Sequence, residues 1–197
     1  QLFDLTGRVA IVTGGSRGIG RAIAEGYALA GAKVVIASRK ADACNETVSA
    51  IEAAGGEALA IPTNMSDLDQ LKVLADKTLD HFGGIDILVN NAANALAQPF
   101  REMTPEAWEK SFSVNLRGPV FLTQYCLPGL DASDHASVIN VSSVGADNQL
   151  IQAAMDLSTL YETTPGFGPL WSGGDTDMLG GDRPGNCGLR GVMAGIQ

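Results

Sequence analysis

The feature that most constrains this chain is a repeated alternation of short apolar runs with longer amphipathic stretches. The runs are rich in β-branched residues and are apolar throughout rather than at every second position; they lie at 8–13, 33–38, 58–61, 86–90 and 137–141. Such strands are covered on both faces of a sheet, and strands that alternate with helices pair in parallel. The pattern predicts an α/β fold, a Rossmann-type doubly wound parallel sheet with helices on both faces.

The segments between these runs carry apolar residues at helical spacing. They predict helices over about 21–30, 41–54 and 67–82, and a long helix pair over about 104–128. Past residue 146 the signal weakens. One further amphipathic helix is predicted at 149–162, and no regular period follows it.

Charge and length exclude several classes of protein. The 197 residues carry a net charge of −9, which gives no support to nucleic-acid binding. No apolar run exceeds four residues, so no membrane-spanning helix is expected. The first residues lack the pattern of a secretory signal, and three scattered cysteines suit a reducing compartment. These features predict a cytoplasmic location.

A glycine-rich turn, TGGSRGIG, lies between the first run and the first helix. Gly14 permits a tight turn, Gly18 permits backbone approach to a pyrophosphate, and Gly20 permits close packing of helix on strand. The helix N-terminus adds N–H donors and partial positive charge. The alternative is a merely structural turn. The cofactor-binding residues predicted here are Gly14, Ser16, Arg17, Gly18, Ile19 and Gly20.

This TGxxxGxG spacing resembles the short-chain dehydrogenase/reductase family, in particular 3-oxoacyl-carrier-protein-reductase-like members. NNAA at 90–93 resembles the family's NNAG, Asn115 lies in a segment that resembles the family's asparagine-bearing helix, and Ser143 ends VINVSS, where the family has its catalytic serine. The resemblance covers residues 5–146. It implies hydride transfer between a nicotinamide cofactor and a small carbonyl or alcohol substrate, with Ser143 and Asn115 as catalytic residues.

The cofactor is predicted from charge at the end of the second strand. Ser38, Arg39 and Lys40 stand there without a carboxylate, and Arg17 is in the glycine turn. A carboxylate would hold a ribose 2′-hydroxyl, whereas arginine matches a 2′-phosphate, so NADP(H) is favoured over NAD(H). Solvated loop charges are the alternative. The resemblance further places Asn64 and Met65 at the adenine, and Asn91, Ala92 and Ala93 beside the nicotinamide.

Half of the family's catalytic machinery is missing from the sequence. The family's tyrosine and lysine positions fall on Asp156 and Leu160, and no lysine follows Lys110. Tyr161 has Pro165 four residues later in place of a lysine. A proton donor and a cation that lowers its pKa are therefore absent, and catalysis is predicted to be impaired.

Two regions are predicted: an NADP(H)-binding domain over 1–146 and a glycine-rich tail over 147–197, which is either part of the same domain or disordered. Ten of the 24 glycines lie in the last 33 residues, and the family's last strands are not recognisable there. The alternatives for the whole chain are a non-catalytic NADP(H)-binding module and a frame-shifted or truncated reductase product.

The histidines, two of the cysteines and one tryptophan are expected to have structural rather than catalytic roles. His81 and His135 are expected on the surface, and no metal site is predicted. Cys44 and Cys126 are expected to pack in the interior. Trp108 is expected as either a core residue or an anchor on a dimer face, and the intact helix around it favours a homodimer over a tetramer.

Overall fold

A computed structural model describes residues 4–95 and 98–142. The sheet has five parallel strands in the order β3–β2–β1–β4–β5. The strands are β1 (Val9–Thr13), β2 (Lys33–Ser38), β3 (Glu57–Pro62), β4 (Ile87–Asn90) and β5 (Ser137–Asn140). The predicted strands are thus confirmed to within a residue at nearly every end. The predicted helix at 149–162 and the tail lie outside the described residues.

Helices connect the strands as the alternation predicts. They are α1 (Gly18–Leu29), α2 (Ala41–Ala53), α3 (Leu68–Phe82), α4 (Pro105–Phe112) and α5 (Gly118–Leu130), with a 3-10 turn at Phe100–Glu102. The predicted helix pair over 104–128 is α4 and α5, joined without a break by a π-helical turn, Ser113–Arg117.

Side chains of the central strands point alternately into two cores, one on each face of the sheet. Ile11 of β1 packs with buried residues of α3 and α5, whereas its neighbours Ala10 and Val12 pack on the α1 and α2 side. Both faces of β1 are therefore buried, which explains its continuous apolar sequence. Cys44 and Cys126 are buried in these cores as predicted.

The strand order determines where a ligand can bind. The chain winds from β1 outward to β3 and then returns to β4 on the other side of β1. The two connections leave the carboxyl ends of β1 and β4 in opposite directions, which opens a crevice between them. The glycine turn follows β1 and the segment 91–95 follows β4, so both predicted cofactor segments lie at this crevice.

Candidate functional site

The glycine turn has the backbone geometry that its sequence predicts. Gly14 and Gly18 have positive φ angles of 68° and 53°, a region that residues with a Cβ rarely adopt. A Cβ on Gly14 would lie 2.8 Å from the amide nitrogen of Asn91, and one on Gly20 would overlap both Gly14 O and that same nitrogen. A Cβ on Gly18 would meet nothing within 4 Å. The turn is therefore crowded toward the protein at Gly14 and Gly20, and open outward at Gly18.

Helix α1 starts without a side-chain cap. Arg17 occupies the N-cap position in an extended conformation, no side chain of the described residues accepts a hydrogen bond from the first turn, and the first turn has no acidic residue. By contrast, the Asp67 carboxylate caps α3, accepting from Asp69 N and Gln70 N. The Thr104 hydroxyl caps α4, accepting from Ala107 N. The uncapped N–H groups and dipole of α1 suit a bound phosphate.

The end of β2 meets the glycine turn through two hydroxyl groups. Ser16 Oγ and Ser38 Oγ are 2.9 Å apart, so two of the predicted cofactor residues are in direct contact. The Ser38 carbonyl accepts hydrogen bonds from Thr63 N at 2.9 Å and from the thiol of Cys44 at 3.6 Å, which hold this strand end in place. Burial raises the pKa of the Cys44 thiol, so Cys44 packs as a neutral side chain.

Two arginines flank this serine pair. Arg17 and Arg39 are both exposed, and neither forms an ion pair with another residue of the described part of the chain. Ile19, also predicted to contact the cofactor, is 66% exposed on the same turn. The structure thus brings a pair of hydroxyl groups together at the end of β2, and each serine is followed in the chain by an exposed arginine.

Thr13 organises the segment that follows β4, a role that its sequence motif alone does not predict. Its buried hydroxyl donates to Val89 O at 3.1 Å and accepts from Asn91 N at 2.9 Å and Ala92 N at 3.0 Å. The Asn91 amide donates to Thr13 O at 2.8 Å. Of the residues predicted beside the nicotinamide, Asn91 and Ala92 are thereby fixed to β1, and Ala93 follows them exposed. A polar residue ending an otherwise apolar strand is the signal that could have identified Thr13.

Asn115 holds the same segment, the residues after β4, through hydrogen bonds from the helix side. Its Oδ1 accepts from Asn94 N at 2.7 Å, and its Nδ2 donates to Asn94 O at 2.8 Å and to Ser111 Oγ at 3.1 Å. The residue lies in the π-helical turn, an irregularity that is frequent at functional sites. Asn115 and the segment after β4 are therefore together at the crevice, whereas Ser143 lies outside the described residues.

Asn64 and Met65, predicted at the adenine, each have part of their side chain in contact with the rest of the protein. The Asn64 Oδ1 accepts from Ser66 N at 3.2 Å and from Ser66 Oγ at 3.0 Å, closing a local turn. Met65 is 6% exposed and its side chain packs in the core on the α3 and α5 side. Contact between Met65 and an adenine would therefore come from its backbone.

The described histidines and the Cys126 thiol provide no metal site or nucleophile at the crevice. His81 and His135 are exposed, as predicted. Among residues 4–95 and 98–142 no cluster of three potential metal ligands occurs. Burial raises the pKa of the Cys126 thiol to about 12, so this thiol is inert at neutral pH. No helix of the described part of the chain is long and apolar enough to cross a membrane.

The short chain dehydrogenase family model matches residues 8–155, and this chain belongs to that family. The match extends past residue 146, where the motif resemblance ends. An uncharacterized oxidoreductase of Methylorubrum extorquens is 40% identical over 167 residues, which cover 84% of this chain and 64% of that protein. The rhamnolipids biosynthesis 3-oxoacyl-acyl-carrier-protein reductase of Pseudomonas aeruginosa is 36% identical over 171 residues, which cover 85% of this chain and 62% of the reductase. The chain thus spans somewhat less than two thirds of the length of these relatives.

Solved structures show the same fold. A metagenomic short-chain oxidoreductase in complex with NADP has a TM-score of 0.69 at 34% identity, with 80% of this chain and 76% of that one covered. A 7α-hydroxysteroid dehydrogenase complexed with NADH and 7-oxo glycochenodeoxycholic acid has a TM-score of 0.71 at 30% identity, with 81% and 64% covered. Both nicotinamide cofactors therefore occur among its structural neighbours.

Proposed function

We propose that this chain binds NADP(H) at the carboxyl edge of its sheet. The observation that carries the proposal is the uncapped start of α1 beside Gly18, where a Cβ would meet nothing within 4 Å. Phosphate oxygens placed there would accept hydrogen bonds from the backbone N–H groups of the first turn of α1, which no side chain of the described residues caps. The adenine half of the cofactor would extend toward Asn64 and Met65, and the nicotinamide half toward Asn91, Ala92 and Ala93.

The choice of NADP(H) over NAD(H) rests on charge. Arg17 and Arg39 are exposed beside the Ser16–Ser38 pair and lack carboxylate partners among the described residues. The first acidic residue after β2 is Asp42, which lies in the first turn of α2. A guanidinium matches the geometry and charge of a 2′-phosphate and offers nothing comparable to a 2′-hydroxyl.

The reaction that we propose for this chain is hydride transfer between NADP(H) and a small carbonyl or alcohol. Within this chain, Asn115 would hold the segment after β4 in place, and Ser143 would orient the substrate oxygen. Turnover is proposed to be impaired, because Asp156 and Leu160 stand where the resemblance places tyrosine and lysine, and no lysine follows Lys110. The same observation favours a second candidate function, a non-catalytic NADP(H)-binding module. The cytoplasmic location stays a prediction.

Titration of the full chain with NADPH, followed by the fluorescence of the reduced nicotinamide, tests the binding proposal. We expect saturable binding, and no reduction of carbonyl substrates above that of a Ser143→Ala variant. Turnover above this control would contradict the impairment, and the absence of NADPH binding would contradict the function itself.

The cofactor preference is tested by Arg39→Asp. We expect NADPH affinity to fall roughly 10- to 100-fold, because a charge-assisted contact is replaced by repulsion, while NADH affinity changes less than about twofold. Lys77→Asp is the charge-matched control, since Lys77 is exposed on α3. Equal losses for the two cofactors would show that Arg39 does not recognise a 2′-phosphate.

A homodimer is proposed through the outer face of α4, the π-helical turn and α5. Trp108 is 48% exposed and stacks on Phe112 with ring centroids 4.4 Å apart, so of the two expected places, the core or a dimer face, the structure excludes the core. This face carries five exposed large apolar residues, Trp108, Phe112, Leu116, Val120 and Leu127. An apolar patch of this kind marks an interaction surface, and the family resemblance implies a second copy as the partner.

Sedimentation of Trp108→Glu tests this dimer. The wild-type chain should sediment as a dimer and the variant as a monomer, because a charge on the face opposes its burial. Leu29→Glu is the matched control, since Leu29 is an apolar residue 76% exposed at the end of α1. A monomeric wild type, or a dimeric Trp108→Glu, would contradict the proposed interface.

A further inference from the structure

Two asparagines end neighbouring strands and face each other across the sheet. Asn90 is the last residue of β4 and Asn140 the last of β5, and the parallel register pairs them directly. Asn90 Nδ2 donates to Asn140 Oδ1 at 3.0 Å. One position further, the backbone N–H of Val141 donates to Asn90 O at 2.9 Å. The two strand ends are therefore joined by one side-chain link and one backbone link.

The Asn90 side chain is costly to place here. It is 6% exposed and follows the apolar run Ile87–Val89. A buried amide is unfavourable unless its polar atoms are bonded, and Asn90 Oδ1 accepts no hydrogen bond from any residue in the described part of the chain. An apolar side chain would fill the same place without this penalty. The contact from Asn90 Nδ2 to Asn140 therefore points to a role other than packing.

The orientation of the Asn90 amide follows from its surroundings. Thr123 Oγ1 lies 3.5 Å from Asn90 Nδ2 and donates its own proton to Pro119 O at 2.7 Å, so toward Asn90 it can only accept. Accordingly, the NH2 group of Asn90 faces Thr123 and Asn140, and its Oδ1 is turned away from both. The link to β5 thus needs a donor at position 90 and an acceptor at position 140.

The two strands that are joined lead into different parts of the proposed site. β4 leads into Asn91, Ala92 and Ala93, proposed beside the nicotinamide, and β5 leads into Ser142 and the predicted catalytic Ser143. The end of β2, where the adenine half is proposed to bind, lies on the other side of β1. A change in the Asn90–Asn140 link should therefore affect the nicotinamide half of the site and leave the adenine half unchanged.

We propose that Asn90 and Asn140 are positioning residues. The hydrogen bond between their side chains holds the segment after β4, proposed beside the nicotinamide, in register with the end of β5, which leads to Ser143. The inference rests on the proposed binding of NADP(H). It adds a separate determinant for the nicotinamide half, located between β4 and β5 rather than in the glycine turn.

The test compares two ligands, NADPH and adenosine 2′,5′-bisphosphate, which carries only the adenine half and the 2′-phosphate. Asn140→Ala should weaken NADPH binding by about threefold to tenfold, the loss of one hydrogen bond, and change bisphosphate binding by less than about twofold. Asn140→Asp keeps the acceptor and should bind both ligands as the wild type does. Ser137→Ala, at the opposite end of β5, is the control and should change neither affinity.

Asn90→Asp removes the donor and should weaken NADPH binding as Asn140→Ala does. Since this variant buries a carboxyl group and folding can fail, the inference is judged on the exposed Asn140, with thermal unfolding confirming that its variants are folded. Unchanged NADPH binding by Asn140→Ala, or equal weakening of both ligands, would overturn it. A wild type that binds NADPH, with an affinity that Asn140→Ala leaves unchanged, would overturn this inference alone, whereas a wild type that does not bind NADPH would overturn the proposed function with it.

Discussion

The polar groups at the amino edge of the sheet have partners within the protein, whereas several at the carboxyl edge do not have one among the described residues. At the amino edge, the Asp86 carboxylate accepts from Val9 N at 2.8 Å and from Ser133 Oγ, and it pairs with Arg8 at 3.5 Å. At the carboxyl edge, α1 begins without a side-chain cap, and the exposed Arg17 has no carboxylate partner among the described residues. One edge satisfies its charges internally, and the other leaves them available to a ligand.

This difference separates stability from binding. Groups whose partners lie within the protein contribute to the folded state whether or not a ligand is present. Uncapped N–H groups and uncompensated arginines contribute little until a ligand supplies the partner, at which point binding stabilises the fold by mass action. Variants at the amino edge should therefore change stability alone, whereas those at the glycine turn should change binding, with or without stability.

The largest effect is expected from Gly20→Ala. The new Cβ would overlap Gly14 O and Asn91 Nδ2, so the glycine turn and the segment after β4 must move apart. We expect a loss of about 1–3 kcal/mol in the free energy of unfolding, as for overpacking in a core, together with loss of NADPH binding. Denaturant unfolding and NADPH titration measure the two effects.

Gly26→Ala is the control within the same helix. A Cβ on Gly26 would meet nothing within 4 Å, and alanine has the higher helix propensity. This variant should gain about 0.5–1 kcal/mol of stability and bind NADPH unchanged. If Gly20→Ala and Gly26→Ala change stability and NADPH binding alike, steric crowding by a Cβ is not the reason that the turn has glycine at position 20.

A smaller effect, confined to stability, is expected from Asp86→Asn. Burial alone would raise the pKa of Asp86, but hydrogen bonds from Ser133 and Val9 and the charge of Arg8 outweigh it and lower the pKa below its ordinary value of 3.8. The carboxylate therefore stabilises the folded state above that ordinary pKa, and the contribution is lost as pH falls through the lower folded-state value.

We expect Asp86→Asn to lose about 1 kcal/mol at neutral pH, because the amide keeps an acceptor but not the charge. The difference from the wild type should shrink as the pH falls below about 4, which chemical unfolding at several pH values would measure. NADPH affinity should be unchanged. A loss of affinity would show that the two edges are coupled and would break the comparison.

The fold was predictable because its signals are local. A strand buried on both faces must be apolar at every position, so β1 and β2 can be found from their own residues. The glycine turn was predictable for a similar reason, since Gly14 and Gly18 adopt φ angles that other residues avoid. Their roles toward a cofactor, like those of Arg17, Arg39 and Ser143, stay predictions.

Residues whose roles depend on distant partners were harder to assess. Thr13 was noted only as part of a motif, because its bonds to Asn91 and Ala92 exist only once β4 lies beside β1. The sequence does not decide whether Trp108 lies in the core or on the surface, since helical spacing alone does not say which face packs inward. The burial of the Met65 side chain likewise depends on where α3 and α5 settle on the sheet.

By itself the sequence determined the class of fold, the strand and helix bounds, and the glycine turn, because each depends on backbone conformation and burial within one short segment. The tertiary structure decided which polar groups meet at the crevice: Ser16 with Ser38, Asn115 with Asn94, and Asn90 with Asn140. These pairs join segments 21 to 50 residues apart, and strand order and register, not local pattern, set their distances.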